Sequence, residues 1–551
     1  MKLDNRSKVN LGLTNKVKNR RAITLAVSWT IASVFACLPA SSVPLFSAQY
    51  AAGASNANAN FSFDLLSEVM EARAQQPYEP SRSELPGKLS KMTYDEHRAI
   101  RYNPDRAIWK DNAEFELQAF HLGGIYWEIV RLYEVENGKA RRMGFVSDDF
   151  IYREPLNAED FEDLDMPGVA GFRLAYPLNT TEYKDELVSF LGASYFRALG
   201  EGSLYGLSAR GLALNTATKT GEEFPRFSDF YIEKPNPEDT SITVYAVLDS
   251  LSVTGAYKFV IQPGKDTVMD VTARLYFRKD VQRLGVAPLT SMYLYSDSNH
   301  RFDDYRGRVH DSDGLKIIRE NGDELWRSLN NPKKLANSFF AETNPQAFGL
   351  YQRNRDFDMY QDAEAYYEHR PSLLVEPKGE WGKGHVTLVE IPTELEINDN
   401  IVAFWTPEEP VKAGDHLEFE YRLHWGDVER PDEEETPVAR VIGLRGGMGG
   451  VSGTVGVTDV RKFVLDFEGG PLAELSPEQT VESVVNISRG ELVNSALHKI
   501  GNTNRWRLVL DTRPTSNLPM ELNAYLKNGD GSRLSEIWLY QWRSGDEKRQ
   551  F

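Results

Sequence analysis

From residue 115 to residue 542 the chain repeats one texture: short runs of Val, Ile, Phe and Tyr, each closed by Gly, Asn, Asp or Pro. Residues 115–120, 126–133, 171–176, 241–248, 257–262 and 267–278 are the clearest runs. Even spacing of such runs predicts an antiparallel sandwich or barrel, because βαβ units need helical stretches between their strands. Residues 416–425 alternate most cleanly, with Leu417, Phe419, Tyr421, Leu423 and Trp425 on one face and Glu418, Glu420, Arg422 and His424 on the other. Helical spacing is confined to the start. Phe63, Leu66, Met70 and Ala74 share one face before Pro77, and Thr93 with Glu96 reads as a capping box opening a short helix over 94–101.

At 551 residues the chain exceeds one ordinary domain. The best break is 428–437, a charged run holding Pro431 and Pro437. The expected organisation is a leader over 1–54, a large β-domain over 58–427, a linker over 428–437 and a smaller β-domain over 438–551. The last carries runs at 462–467, 483–487, 505–511, 521–526 and 536–542, which suit an immunoglobulin-like sandwich. The predicted class is therefore mainly β, a large N-terminal sandwich followed by a C-terminal immunoglobulin-like one. The glycine-rich stretch 443–456 is expected to be a mobile loop. It lacks the lysine and the strand-to-helix setting of a phosphate loop.

Residues 1–21 hold seven basic side chains and one acid, an apolar segment runs to about Pro39, and small residues continue to Ala54. That order reads as an export signal, and Arg20-Arg21 suggests the twin-arginine route to the periplasm. The apolar segment also has the length of a membrane anchor, but no second long apolar run follows, so no stable membrane insertion is expected. The formal charge of −18 becomes −24 once the leader's net +6 is removed, which argues against nucleic acid or an anionic membrane as partner. The single cysteine, Cys37, lies in the leader, so thiol chemistry is excluded from the mature chain. Nine scattered histidines with no ligand pair predict no metal, and nothing calls for a cofactor.

One stretch, 366–405, gathers the side chains a carbohydrate cleft needs. Tyr366, Tyr367 and Arg370 open it, Trp381 and Lys383 sit in a glycine-rich turn, a strand follows at 385–391, and an acidic loop holds Glu394, Glu396 and Asp399. Sugars offer hydroxyls to charged groups and C–H faces to aromatic rings; the plain alternative is a surface hairpin with an acidic turn. A second carboxylate pair, Asp311 and Asp313, lies in the segment 309–315, which also reads as an exposed turn. Glycoside hydrolysis needs two carboxyl groups, one donating a proton and one accepting it. No Gly-x-Ser-x-Gly elbow is present. Residues 189–197 and 205–212 mix Ser, Arg and Tyr, but their small residues read as buried strands in close sheet packing.

The segments SFLGASYFRALG (189–200), YGLSARGLALNT (205–216), GEEFPRF (221–227), LGVAPLTSMY (284–293), HDSDGL (310–315), RPSLLVEPKGEWGKG (370–384), DNIVAFWTP (399–407) and SEIWLYQW (535–542) resemble the periplasmic glucans biosynthesis protein G and D family. The resemblance covers almost the whole mature chain. It implies a galactose-mutarotase-like N-terminal sandwich, action on β-1,2-glucan made by an inner-membrane glucosyltransferase, and, for the D-type, anomer-inverting endo-β-1,2-glucanase activity. It further implies Asp399 as general acid and Asp311 as general base, the latter acting through a relay of water and substrate hydroxyl. GEEFPRF and EPKGEWGKG are similar to the less active G-type, the twin-arginine leader to the D-type. For that chemistry Asp399 must be protonated, through burial or through Glu394 and Glu396, and Asp311 ionised. Tyr367 and Trp381 are the expected stacking platforms, or else core aromatics. Arg370, Lys383 and Glu396 are expected to bind glucan hydroxyls, unless Arg370 pairs with Glu376. A second function fits the same residues: a glucan-binding scaffold that takes nascent glucan from the synthase.

Overall fold

The alternation over 267–278 becomes the strand Thr267–Phe277, in which every second side chain is buried. It pairs antiparallel with His416–Gly426, setting Met269 opposite Leu423 and Val271 opposite Tyr421, so the two apolar faces coincide. The computed structural model describes residues 59–546 apart from 81–84, 86, 163, 165, 429–437, 451–456 and 477–478. Among them, a 15-stranded and a 10-stranded sheet dominate.

The larger sheet runs from the edge pair Ala59–Asn60 and Lys139–Arg142 through Arg226–Glu233, Ile242–Asp249, Val253–Gln262 and Thr267–Phe277 to His416–Gly426 and Ser372–Lys378. The other runs from Ala336–Thr343 through Lys383–Glu390, Ile401–Pro407 and Leu284–Ser291 to Gly171–Tyr176 and Glu116–Phe120. Phe190 of the smaller sheet meets Phe230 of the larger at 5.1 Å between ring centres, and Phe196 meets Phe259 at 5.3 Å. The two layers thus share one core, a β-sandwich. The helix Phe63–Ala74, capped by Ser62, lays Leu66 and Met70 on the outer face of the larger sheet.

The C-terminal part sets the four-stranded sheet of Arg440–Gly449, Val457–Glu468, Arg505–Pro514 and Gly490–Lys499 against Ile537–Trp542, Met520–Asn528 and Val481–Ser488. Phe463, Leu465, Trp506 and Leu508 fill the space beneath Trp538, Tyr540 and Leu522. Four strands facing three is the count of an immunoglobulin-type sandwich. Its three-stranded layer extends the large sheet, because Glu324–Ser328 pairs in parallel with Ile537–Trp542.

Three expectations change. The helix over 94–101 stops at Arg98, because Ile100–Tyr102 pairs with Phe150–Tyr152. The strand expected at 126–133 begins only at Arg131, after a turn at Gly123 and Gly124. The stretch 443–449, expected to be a mobile loop, belongs to the strand Arg440–Gly449. The leader, the linker core 429–437 and residues 451–456 lie outside the described residues. Among those described, no helix is long and apolar enough to cross a membrane.

A buried ion pair closes the junction of the two sandwiches. Arg353 donates to both carboxylate oxygens of Glu536, at 2.5 and 3.0 Å, while Glu536 also accepts the Val441 N–H at 2.6 Å. The guanidinium lies 3.4 Å from the centre of the Trp326 ring. Glu536→Ala strips a buried arginine of its counter-charge, a change expected to cost about 3–5 kcal/mol in denaturant unfolding. A loss no larger than that of an exposed pair, below about 1 kcal/mol, would show that the junction does not rest on this contact.

Candidate active site

The strand Leu284–Ser291 is buried along its length and carries Pro288 near its middle. A proline breaks a central ladder unless the strand bulges. The register against Ile401–Pro407 shifts between Val286 and Leu289, with Ala287 at φ +47°. Beyond the bulge the chain reaches Met292 and Tyr293, and this dipeptide gathers two loops. The Asp311 N–H donates to the Met292 carbonyl at 2.8 Å. The Tyr293 N–H donates to Asn400 Oδ1 at 2.8 Å, while Asn400 Nδ2 donates to the Tyr293 and Ile391 carbonyls at 3.0 and 3.1 Å. Asp311 and Asp399, far apart in sequence, are thereby brought to neighbouring anchors at one end of the sandwich.

Asp311 is only 3 % exposed, and Arg370 Nη1 donates to its Oδ1 at 2.7 Å. Burial pushes its carboxyl from an ordinary 3.8 up to about 6; Arg370 and Arg197 pull it down, and the charge of Asp399 adds to the rise. Asp399 lies at the surface, with Arg197 Nη2 3.9 Å from its Oδ2. Arg197 is steered there by its Nε, which donates to Ser208 Oγ at 2.7 Å. Beside it, Tyr195 supports the buried Arg210 guanidinium, which is paired with Glu222 at 2.6 Å. Burial, with smaller contributions from Glu222 and Asp399 opposed by Arg210, raises the Tyr195 phenol above its usual range.

The residues expected from sequence fall into two groups. Arg370 pairs with Asp311, and Glu376 instead faces His424 at 2.9 Å. Tyr367 is close to the pair but 2 % exposed, with the Arg370 guanidinium 4.5 Å above its ring, so it has no free face for stacking. Its phenol is raised by burial and then by the charges of Glu396 and Asp311, against Arg370 and Arg306. Glu396 accepts from Arg306 Nη2 at 2.7 Å, and Glu394 from Arg301 at 3.4 Å. The two loop glutamates therefore turn to arginines instead of clustering with Asp399. Asp313 faces inward: its Oδ2 accepts the Arg353 and Asn354 N–H groups at 2.7 and 3.1 Å.

Trp381 and Lys383 do not join the site. Gly384 pairs with Pro407 and Glu390 with Ile401, so the turn bearing Trp381 lies about 20 Å along the hairpin from Asp399. Trp381 packs in the core against Phe419 at 5.6 Å and Tyr421 at 6.0 Å. The sequence does not single out Arg197 and Tyr195, because their segment reads as sheet packing. It does form Asp185–Leu191 and Tyr195–Ala198, but the second strand ends at the cleft.

Behind Asp311 the polar groups are closely fixed. Gln352 Nε2 donates to the carbonyls of His310 and Tyr367, both at 3.0 Å, which turns its Oε1 toward His310 Nδ1 at 3.0 Å. The two carbonyls settle the amide orientation, so His310 Nδ1 carries the ring hydrogen. The His310 ring stacks on Tyr293 at 5.3 Å. An enclosed carboxyl whose proton affinity is raised by burial, sharing a site with a second carboxyl group at the surface, is an arrangement suited to acid–base work on a neutral substrate.

A family model described as "Periplasmic glucan biosynthesis protein, MdoG" matches residues 61–542. The curated "Glucans biosynthesis protein G" of Cereibacter sphaeroides is 53% identical over 485 residues, covering 88% of this chain and 89% of that one. A "Probable glucans biosynthesis protein D" of Shewanella oneidensis is 42% identical over 486 residues, covering 88% of each chain. Among solved structures, the Slr1438 protein from Synechocystis sp. PCC 6803 aligns at 9% identity and a TM-score of 0.21, over 47% of this chain and 92% of that one. That likeness is too distant to add to the architecture read from the sheets.

Folded Asp311 holds its proton more tightly than the unfolded chain does. The stability it contributes is full below about pH 4 and is lost as pH climbs through about 6. Asp311→Asn cannot ionise and should gain on the native protein by about 3 kcal/mol across that window. Unfolding both proteins at several pH values reads this directly; a difference that does not change with pH would mean Asp311 is not titrating there.

Proposed function

The chain belongs to the periplasmic glucan biosynthesis protein MdoG family, and from that membership we propose that it cleaves the β-1,2-glucan backbone as an anomer-inverting endo-glucanase. Asp399 acts as general acid and Asp311 as general base. The work is done in the periplasm, after export by the basic and apolar leader over 1–54.

One observation carries the reading: two carboxyl groups come from separate loops tied to Met292 and Tyr293, close enough that the charge of Asp399 reaches Asp311. Above pH 6 Asp311 is ionised and able to take a proton from the attacking water, through a substrate hydroxyl where the geometry requires it. Asp399 is at the surface, where a sugar laid across it excludes water and receives its proton on the departing glycosidic oxygen. The water oxygen bonds the anomeric carbon from the opposite face as that bond breaks, so the configuration inverts. Arg370 keeps Asp311 oriented, and Arg197 is a donor for substrate hydroxyls beside Asp399.

A second reading has its own support, since the relatives' names state glucan biosynthesis and no cleavage. There the same cleft holds nascent glucan coming from the membrane glucosyltransferase and hands it on.

Incubation with linear β-1,2-glucan separates the two, with chain length read by chromatography and the first-formed anomer by NMR. Shortened chains of inverted configuration are expected, and Asp399→Asn should abolish them while binding persists. Binding without cleavage by the native protein would leave the carrier. Activity should fall on the acid side near pH 6 as Asp311 gains a proton. Arg370→Gln removes an attraction that lowers the Asp311 value, so this limb should move to higher pH; an unmoved limb would dissociate Asp311 from the base role.

A further inference from the structure

Large apolar side chains crowd the rim of the cleft where solvent should disfavour them. Tyr305 is 81 % exposed, Ile397 83 %, Leu395 57 % and Tyr366 39 %. Singly, exposed hydrophobic residues need no explanation; a group converging from three loops does. The loops that carry them meet at one guanidinium. Arg306 is held by Asp304 at 2.8 Å, next to Tyr305, and by Glu396 at 2.7 Å, between Leu395 and Ile397. Its third contact is Asp362 at 2.6 Å, whose carbonyl accepts the Tyr366 N–H at 3.3 Å.

The rim adjoins the two aspartates. Arg370, which binds Asp311, also donates through Nη2 to the carbonyl of Ala365, the residue before Tyr366. Ile397 precedes Asp399 by two positions in the same loop. Tyr366 adopts a left-handed backbone, φ +45° and ψ +56°. A bulky aromatic residue is strained there, and such strain persists where surroundings impose it, often at ligand clamps. Asp362 imposes it, its Oδ1 accepting the Glu364 and Ala365 N–H groups at 2.9 and 2.7 Å.

We propose that Tyr366, Tyr305 and the Leu395–Ile397 apex form an apolar wall on which glucose units beyond the scissile linkage rest, so that the site takes a chain of several sugars. The inference depends on the glucan reading above and narrows it to extended chains. Charge selects the occupant. One arginine among three carboxylates leaves the hub net negative, which repels an anionic membrane or nucleic acid and is indifferent to a neutral polysaccharide. Pyranose rings present C–H faces to aromatic and aliphatic walls, while the ion pairs beneath keep the loops in place.

The test measures binding of size-fractionated linear β-1,2-glucan by calorimetry, in the Asp399→Asn background so that substrate is not consumed. Tyr305→Ser combined with Ile397→Ser alters two side chains that face solvent, so folding should be unaffected, which thermal unfolding checks. Long glucan should bind about 10-fold more weakly, in line with losing part of two apolar contacts. The shortest oligosaccharides, which span only the aspartates, should bind unchanged. Equal loss at every length, or no loss at any, overturns the wall; in the latter case a protein partner becomes the better occupant. Absence of any glucan binding by the parent protein overturns the functional reading and this inference with it.

Discussion

A carboxylate is costly to bury unless it meets a cation or several donors, and three of the carboxylates buried here, Asp311, Glu390 and Glu536, each meet an arginine. Asp311 meets Arg370; Glu390 meets Arg327 at 3.0 Å and accepts the Asn330 N–H at 2.7 Å; Glu536 meets Arg353. Burial raises the proton affinity of Glu390 as it does that of Asp311, and the arginine opposes the rise in each case. The pairs stand at topological joints. Arg327 lies on the strand that pairs with the C-terminal unit, and Glu390 ends the strand that leads into the Asp399 loop. Charged hydrogen bonds are short and directional, so each pair sets the course of the loop that leaves it.

Much of the fold was legible because burial on one face of a strand leaves a period of two in the sequence. Thr267–Phe277 and His416–Gly426 emerge within a residue of the stretches marked out by alternation. Where the outcome depended on distant pairing, local pattern failed. Thr93 and Glu96 do form the capping box, yet the helix ends at Arg98 because the next residues join a strand from far along the chain. The glycine-rich stretch misled for another reason. Glycine reports either freedom or close approach. At Gly446 it is close approach, since a Cβ there would stand 2.3 Å from the Ser298 carbonyl oxygen.

The site was less legible than the fold. Asp311 and Asp399 emerged through a motif resemblance; no periodicity relates two loops so far apart. Tyr366 and Tyr367 are the same residue type in adjacent positions, and only the backbone turn at Tyr366 decides that one faces solvent and the other lies under Arg370. Trp381 and Lys383 are nearer in sequence to Asp399 than Asp311 is, but an antiparallel hairpin sends its two ends in opposite directions. Arg197 and Tyr195 lay in a run whose glycine, alanine and serine advertise packing. The run packs, and its last residues still reach the cleft.

The C-terminal sandwich can be connected to the base without invoking motion. Glu536 holds Arg353, whose N–H donates to Asp313, two residues beyond Asp311; His310, which precedes Asp311, is fixed by Gln352, which also holds the Tyr367 carbonyl. Asp311 follows His310 directly, and Arg370 N–H donates to that same Tyr367 carbonyl at 3.2 Å. Glu536, His310, Gln352, Tyr367 and Asp311 are all buried, and a buried polar group that loses its partner has little water to replace it. The position of Asp311 against Arg370 is therefore a property of both sandwiches together. A chain cut at the linker would keep the strands that carry both aspartates but lose the carboxylate that anchors the far end of the network.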